Sequence, residues 1–91
     1  MPSSFQTKVI KEHEAKGWIV INIIRLSDSG YPDILCMKEN EKDKWIECKE
    51  GKDTLKELQK YRIDELNRIG KNAYCLHDTK GVIYPSPNSN N

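Results

Sequence analysis

Two periods of hydrophobic and polar residues alternate along this chain. From Ser4 to Lys16 the stripe Phe5, Val9, Ile10 and His13 recurs at helical spacing. Ser3 and Ser4 stand before it as N-caps and Gly17 behind it as a stop, which predicts a helix over 4–16. WIVINII, 18–24, is dense in β-branched residues and reads as a strand, and RLSDSGY, 25–31, reads as a loop. PDILCMK, 32–38, is a second strand, with Pro32 at its start, where a sheet tolerates it. The charged turn ENEKD, 39–43, leads to a third strand, KWIECKE, 44–50, so these two strands form a hairpin, and Gly51 breaks the third. Thr54-Leu-Lys-Glu57 has the form of a capping box with Thr54 as N-cap. The helix it opens runs to Arg68 or Ile69, with Leu55, Leu58, Ile63, Leu66 and Ile69 on its apolar side, and Gly70 closes it. NAYCLHD, 72–78, is a fourth strand, Lys80-Gly81 a turn, and VIY, 82–84, a short edge strand.

The order αβββαβ plus a last short strand predicts an α/β fold, a mixed sheet flanked by helices. Strand four, reached through a helix, lies parallel to strand three by a right-handed crossover. The expectation is a single domain over 1–84, with a flexible tail in the Pro/Ser/Asn-rich 85–91. A chain of 91 residues has a thin core, because such a size buries only about 60–65% of its unfolded surface, so oligomerisation would help.

Charge narrows the field less than pattern does. Fifteen basic and 14 acidic residues leave a net charge of +1, which neither demands nor excludes a nucleic-acid partner. No apolar run approaches the roughly 20 residues of a membrane helix, and MPSSFQTK lacks the apolar core of a signal peptide. The expected location is the cytoplasm. Cys36, Cys48 and Cys75 are odd in number, widely spaced and without a CxxC, so they read as buried, reduced thiols rather than a disulfide framework or zinc site.

The third strand carries the unusual chemistry. Glu47 and Lys49 share a face, roughly 6–7 Å apart. Asp33 lies on the preceding strand, and antiparallel pairing places it opposite or diagonal to Glu47. Two close carboxylates repel unless a cation neutralises them, and a hard divalent ion such as Mg²⁺ does so while accepting phosphate oxygens. The Cys48 carbonyl can complete the protein ligands. Such an ion activates water and polarises a phosphodiester, and Lys49 stabilises the nucleophile or the charge growing on phosphate.

Pro32-Asp33 followed by Glu47-x-Lys49 resembles the PD-(D/E)xK nuclease signature. The setting is similar too: a helix ending in Gly17-Trp18, a strand, the Pro-Asp strand, the Glu-x-Lys strand, and a helix bearing Gln59. Over about residues 4–78 the chain resembles the VRR-NUC domains and the archaeal-type Holliday junction resolvases. The resemblance implies a restriction-endonuclease-like fold and a Mg²⁺- or Mn²⁺-dependent DNA endonuclease. It assigns the metal to Asp33 and Glu47, with Cys48 assisting through its backbone, catalytic support to Lys49, and orientation of the site to Gln59. Ser27 or Ser29 falls in the loop that flanks the site in resolvases. The chain departs from its relatives in two places. The Val-Arg-Arg tripeptide is absent, and Gln6, or Ser4 if the register slips, stands where many carry a glutamate on the first helix. A glutamine there can hold a metal-bound water, but a second cation binds less well.

The resemblance also implies branched or structured DNA as substrate and a homodimer with paired sites; no membrane and no organic cofactor are expected. A free-standing nuclease this small fits a phage or mobile element acting in host cytoplasm. Plainer readings compete with each residue. Asp33 can be a turn aspartate, Glu47 and Lys49 a solvated strand face, and Gln59 an ordinary helix-edge residue. His13 reads as a packed histidine, and His77 has no partner spaced as a zinc ligand. Trp18 and Trp45 read as packing residues. The lysines and arginines from Lys52 to Lys71 are interleaved with acids, which fits a mixed solvated face as well as a phosphate-tracking one. The alternative function is a nuclease-fold module that has lost catalysis and serves in DNA binding or assembly.

Overall fold

The computed structural model describes residues 3–23 and 29–86. Its elements are α1 (Ser4–Ala15), β1 (Ile19–Asn22), β2 (Ile34–Met37), β3 (Lys44–Lys49), α2 (Glu57–Arg68), β4 (Asn72–His77) and β5 (Gly81–Tyr84). They build a mixed five-stranded sheet in the order β1-β2-β3-β4-β5. Every neighbouring pair is antiparallel except β3 and β4, which run parallel across the α2 crossover. This α/β arrangement of a mixed sheet with two helices matches the expectation and is consistent with a restriction-endonuclease-like core.

Strand alternation sorts the core into two layers. Ile34, Cys36 and Ile46 point to one face and pack with Val9 of α1 and with Trp18. Ala73 and Cys75 point to the other face and pack with Ile63 and Leu66 of α2. Fully burying an Ile such as Ile34 or Ile46 contributes about 1.5–3 kcal/mol. α1 begins as expected, with Ser3 Oγ accepting from the Gln6 N–H at 3.0 Å. Its end is held by the Lys16 and Gly17 N–H groups, which donate to His13 and Glu14 carbonyls. Gly17 takes a positive φ of 92° there.

The start of α2 corrects the capping expectation. Thr54 is exposed and lies outside the helix, which begins at Glu57 with Lys56 as N-cap. The reciprocal contact comes from Gln59, whose Oε1 accepts from the Lys56 N–H at 2.9 Å. Leu55 stays outside the helix and packs on the Ile63 cluster. The apolar side of α2 is also narrower than the sequence suggests. Ile63 and Leu66 are buried, whereas Leu58 is 43% and Ile69 68% exposed. Leu58 and Ile69 lie on the flank of the stripe Gln59, Ile63 and Leu66, so the sheet does not cover them.

Candidate active site

Asp33, Glu47 and Lys49 reach the same end of the α2 face. Ile34 pairs with Ile46, which sets Asp33, one residue earlier, across from Glu47, one residue later. The segment leading to Asp33 is gripped by α2. Arg62 Nε donates to the Ser29 carbonyl at 3.0 Å, and Tyr31 Oη donates to Glu65 Oε1 at 2.9 Å. Gly30 sits between them at φ 87°, and a Cβ there would come within 2.6 Å of Leu58 Cγ. Only glycine fits that approach and that backbone angle together.

Asp33 is tied to β3 directly, its Oδ2 accepting from the Cys48 N–H at 2.9 Å. Its carboxylate lies close enough to that of Glu47 for its charge to act on it. Glu47 is 4% exposed, and burial, reinforced by the charge of Asp33, pushes its carboxyl up to about 8. Burial likewise raises Asp33, against the lowering effect of the Cys48 N–H and of Lys49. The pair therefore retains a proton near neutral pH, held between two acids that crowd each other.

Lys49 is 6% exposed, with Nζ 3.5 Å from Glu47 Oε2 and 3.4 Å from Asp53 Oδ2. Gln59 Nε2 donates to Glu47 Oε2 at 3.3 Å. One glutamine thus caps α2 through its oxygen and holds the acid through its nitrogen. The structure brings Asp33, Glu47, Lys49 and Gln59 together, with the Cys48 backbone between the two β3 charges. Burial pushes the Cys48 thiol up to about 12, so it stays protonated.

The other candidates sit apart or in support. Ser27 lies outside the described residues, and Ser29 contributes its carbonyl to Arg62. Gln6 donates to Asn22 Oδ1 at 3.2 Å, from α1 to β1. His13 is packed, its ring edge against Trp18 and its Nδ1 2.9 Å from the Val9 carbonyl. Sequence reasoning missed Asp53 and His77. Asp53 was legible only as an acid four residues after Lys49, a spacing that means little outside a helix. His77 is linked to Lys49 only through the β3–β4 register, which no spacing in the sequence displays.

The donor set suits a hard ion. Among the described residues, no three or more His, Cys, Asp or Glu side chains are arranged to hold a metal ion. The side-chain donors at this point are therefore the two carboxylates. Both are oxygen donors of the kind a hard divalent cation accepts, and such an ion could take the place of the proton that Glu47 retains.

A VRR-NUC domain profile matches residues 6–79, spanning α1 through the end of β4. The chain belongs to the VRR-NUC family. This is a nuclease family, and the match covers all four of the converging residues. Comparison with curated proteins found no match. Among the described residues, no helix is long and apolar enough to cross a membrane.

Proposed function

We propose that this VRR-NUC chain is a divalent-metal-dependent DNA endonuclease that hydrolyses phosphodiester bonds in branched or structured DNA. The observation that carries this reading is the meeting of Asp33, Glu47, Lys49 and Gln59 at one buried point of the α2 face. Asp33 and Glu47 would hold Mg²⁺ or Mn²⁺, with the Cys48 carbonyl as a further oxygen, and the ion would supply water activation and Lewis acidity toward the phosphodiester. Lys49 places a buried ammonium where negative charge develops, and burial strengthens that interaction. Gln59 fixes the Glu47 carboxylate by its amide hydrogen. The Cys48 N–H orients Asp33.

A homodimer is part of the proposal, and β1 supports it. This edge strand reads Ile19-Val20-Ile21-Asn22, with no charge, proline or glycine to guard it. Ile19 is 65% and Ile21 44% exposed, on the α2 side of the sheet but at the opposite edge from β4, on which that helix packs. Antiparallel pairing of two copies about Val20 would set Ile19 of each against Ile21 of the other. Strand spacing and rise then separate the two sites by roughly 30 Å on one face, which suits two strands of a junction. Ile19→Lys should leave a monomer in sedimentation velocity, and a wild-type chain that is monomeric at working concentration removes the dimer from the proposal.

The deciding experiment incubates the purified chain with a four-way junction, a flap and a plain duplex in Mg²⁺ or Mn²⁺. Nicking that requires the ion and vanishes in Asp33→Asn and Lys49→Ala supports the enzyme. DNA binding that survives both changes, without any cutting, supports a second reading: a DNA-binding or assembly module of the same fold without catalysis. The engagement of Gln6 with Asn22 favours that second reading, because α1 offers an amide where the resemblance implies an acid in many relatives.

A further inference from the structure

Lys49 is held from outside the four residues described above. Its register partner on β4 is His77, so the two side chains leave neighbouring strands on the same face, about 5 Å apart. His77 is 5% exposed. Its Nδ1 faces the backbone N–H groups of Thr79 at 3.2 Å and Lys80 at 3.3 Å, which makes it an acceptor. The ring hydrogen therefore sits on Nε2, and it is donated to the Gly51 carbonyl at 2.8 Å. Asp78 Oδ1, 3.1 Å from Nδ1, accepts from the Gly51 N–H at 3.4 Å. The Asp78 N–H in turn donates to the Lys49 carbonyl at 3.0 Å.

These contacts tie the turn after β3 to the end of β4. The turn carries Asp53, whose N–H donates to the Glu50 carbonyl and whose carboxylate lies 3.4 Å from Lys49 Nζ. A lysine side chain has four rotatable bonds, and burial alone does not choose among its rotamers. Two carboxylates on different segments, Glu47 on the strand and Asp53 on the turn, do choose. Gly51 lies two residues before Asp53, so its contacts with His77 and Asp78 bear on the turn that carries that carboxylate.

The geometry points to His77 as a positioning residue: through Gly51 it fixes the turn so that Asp53 and Glu47 together aim the Lys49 ammonium. The role rests on the nuclease reading, in which that ammonium meets the phosphate. His77 touches neither substrate nor ion; it acts through the turn.

Two substitutions separate its two nitrogens. His77→Gln keeps a donor near the Nε2 position, for Gly51, and loses the acceptor for Thr79 and Lys80. His77→Asn keeps an acceptor near Nδ1 and loses the bond to Gly51. Asp53→Asn, at a position whose side chain is 54% exposed, removes the second carboxylate charge without disturbing the core. The first readout is the NMR order of the Lys49 side-chain methylenes in the full chain. They should be rigid in wild type and His77→Gln, and mobile in His77→Asn and Asp53→Asn. The second readout is single-turnover cleavage of a junction at saturating DNA. A misaimed group costs roughly 10- to 100-fold in rate, so His77→Asn and Asp53→Asn should fall by that much, with DNA affinity unchanged within twofold. His77→Gln should stay within threefold.

Lys49 remaining ordered in Asp53→Asn and His77→Asn overturns the assignment. So does a loss of rate in His77→Gln and His77→Asn that simply follows their melting temperatures, which would make His77 a packing residue. A wild-type chain that cuts nothing refutes the nuclease reading instead, and the methylene order then decides the positioning role by itself.

Discussion

β3 shows two different proteins on its two sides. Toward α1 it presents Ile46, which joins Val9, Trp18, Ile34 and Cys36 in a dry cluster. Toward α2 it presents Trp45 at one end, against the Ile63 cluster, and then Glu47 and Lys49, almost as deeply buried as the isoleucines. Apolar burial on the α1 side stabilises the fold. At the Glu47 end of the α2 side, burial costs free energy, because acids and an ammonium leave water there for a few partners, one another, the Cys48 N–H and the Gln59 amide. A core this thin tolerates that cost only while the opposite layer is well packed.

The largest break in this comparison is expected at Lys49. Lys49→Ala should lower cleavage roughly 100- to 1,000-fold, as loss of a charge-stabilising group does, while the melting temperature moves little. A rate within tenfold of wild type would remove Lys49 from the chemistry. The mirror-image change is Ile46→Ala on the α1 side, which should cost about 2–5 kcal/mol in denaturant unfolding. Cutting per folded molecule should be preserved. If Ile46→Ala instead abolishes cutting in protein that remains folded, the two sides are not separable as described.

The acids sharpen the contrast through pH. Glu47 sits at about 8 in the folded chain against an ordinary 4.5, and Asp33 is raised with it. Folding thus favours the protonated pair. That stabilisation is complete below pH 4.5 and is lost as pH rises through 8, so the metal-free chain should melt at steadily lower temperature across that window. Glu47→Gln should flatten the profile, and Mg²⁺ should raise the melting temperature more at pH 8 than at 4.5. A flat wild-type profile would mean that the acids are not crowded as described. The smallest effect belongs to Gln59. Gln59→Ala loses a cap contact and one hydrogen bond to Glu47, about 1 kcal/mol in unfolding free energy, checked by urea titration. No measurable loss would leave Gln59 an ordinary helix-edge residue.

Much of this was legible in the sequence because strands report themselves by parity. Once Asp33, Glu47 and Lys49 were placed on strands, alternation put them on one face, and the hairpin length brought the acids across from each other. The parallel pairing of β3 and β4 followed from the intervening helix. Helix ends carry less information. Thr54-x-x-Glu57 satisfies the capping pattern, yet the N-cap is Lys56, two residues later, where Gln59 closes the cap and also meets Glu47. A local pattern cannot register a tertiary bond that makes one start better than another. Leu58 shows the same limit. It reads as core, but it lies on a flank against the Gly30 backbone and remains partly open to water. The contacts of Asp53 and His77 with the site depend on how two turns meet in space, and no periodicity encodes that.

α2 holds the loop before Asp33 through Arg62 and Glu65, and it holds Glu47 through Gln59. A tilt of this single cylinder would shift the spacing of both carboxylates at once. The geometry of all four converging groups is therefore coupled to the seating of one helix, and whatever presses on its solvent side acts on them together.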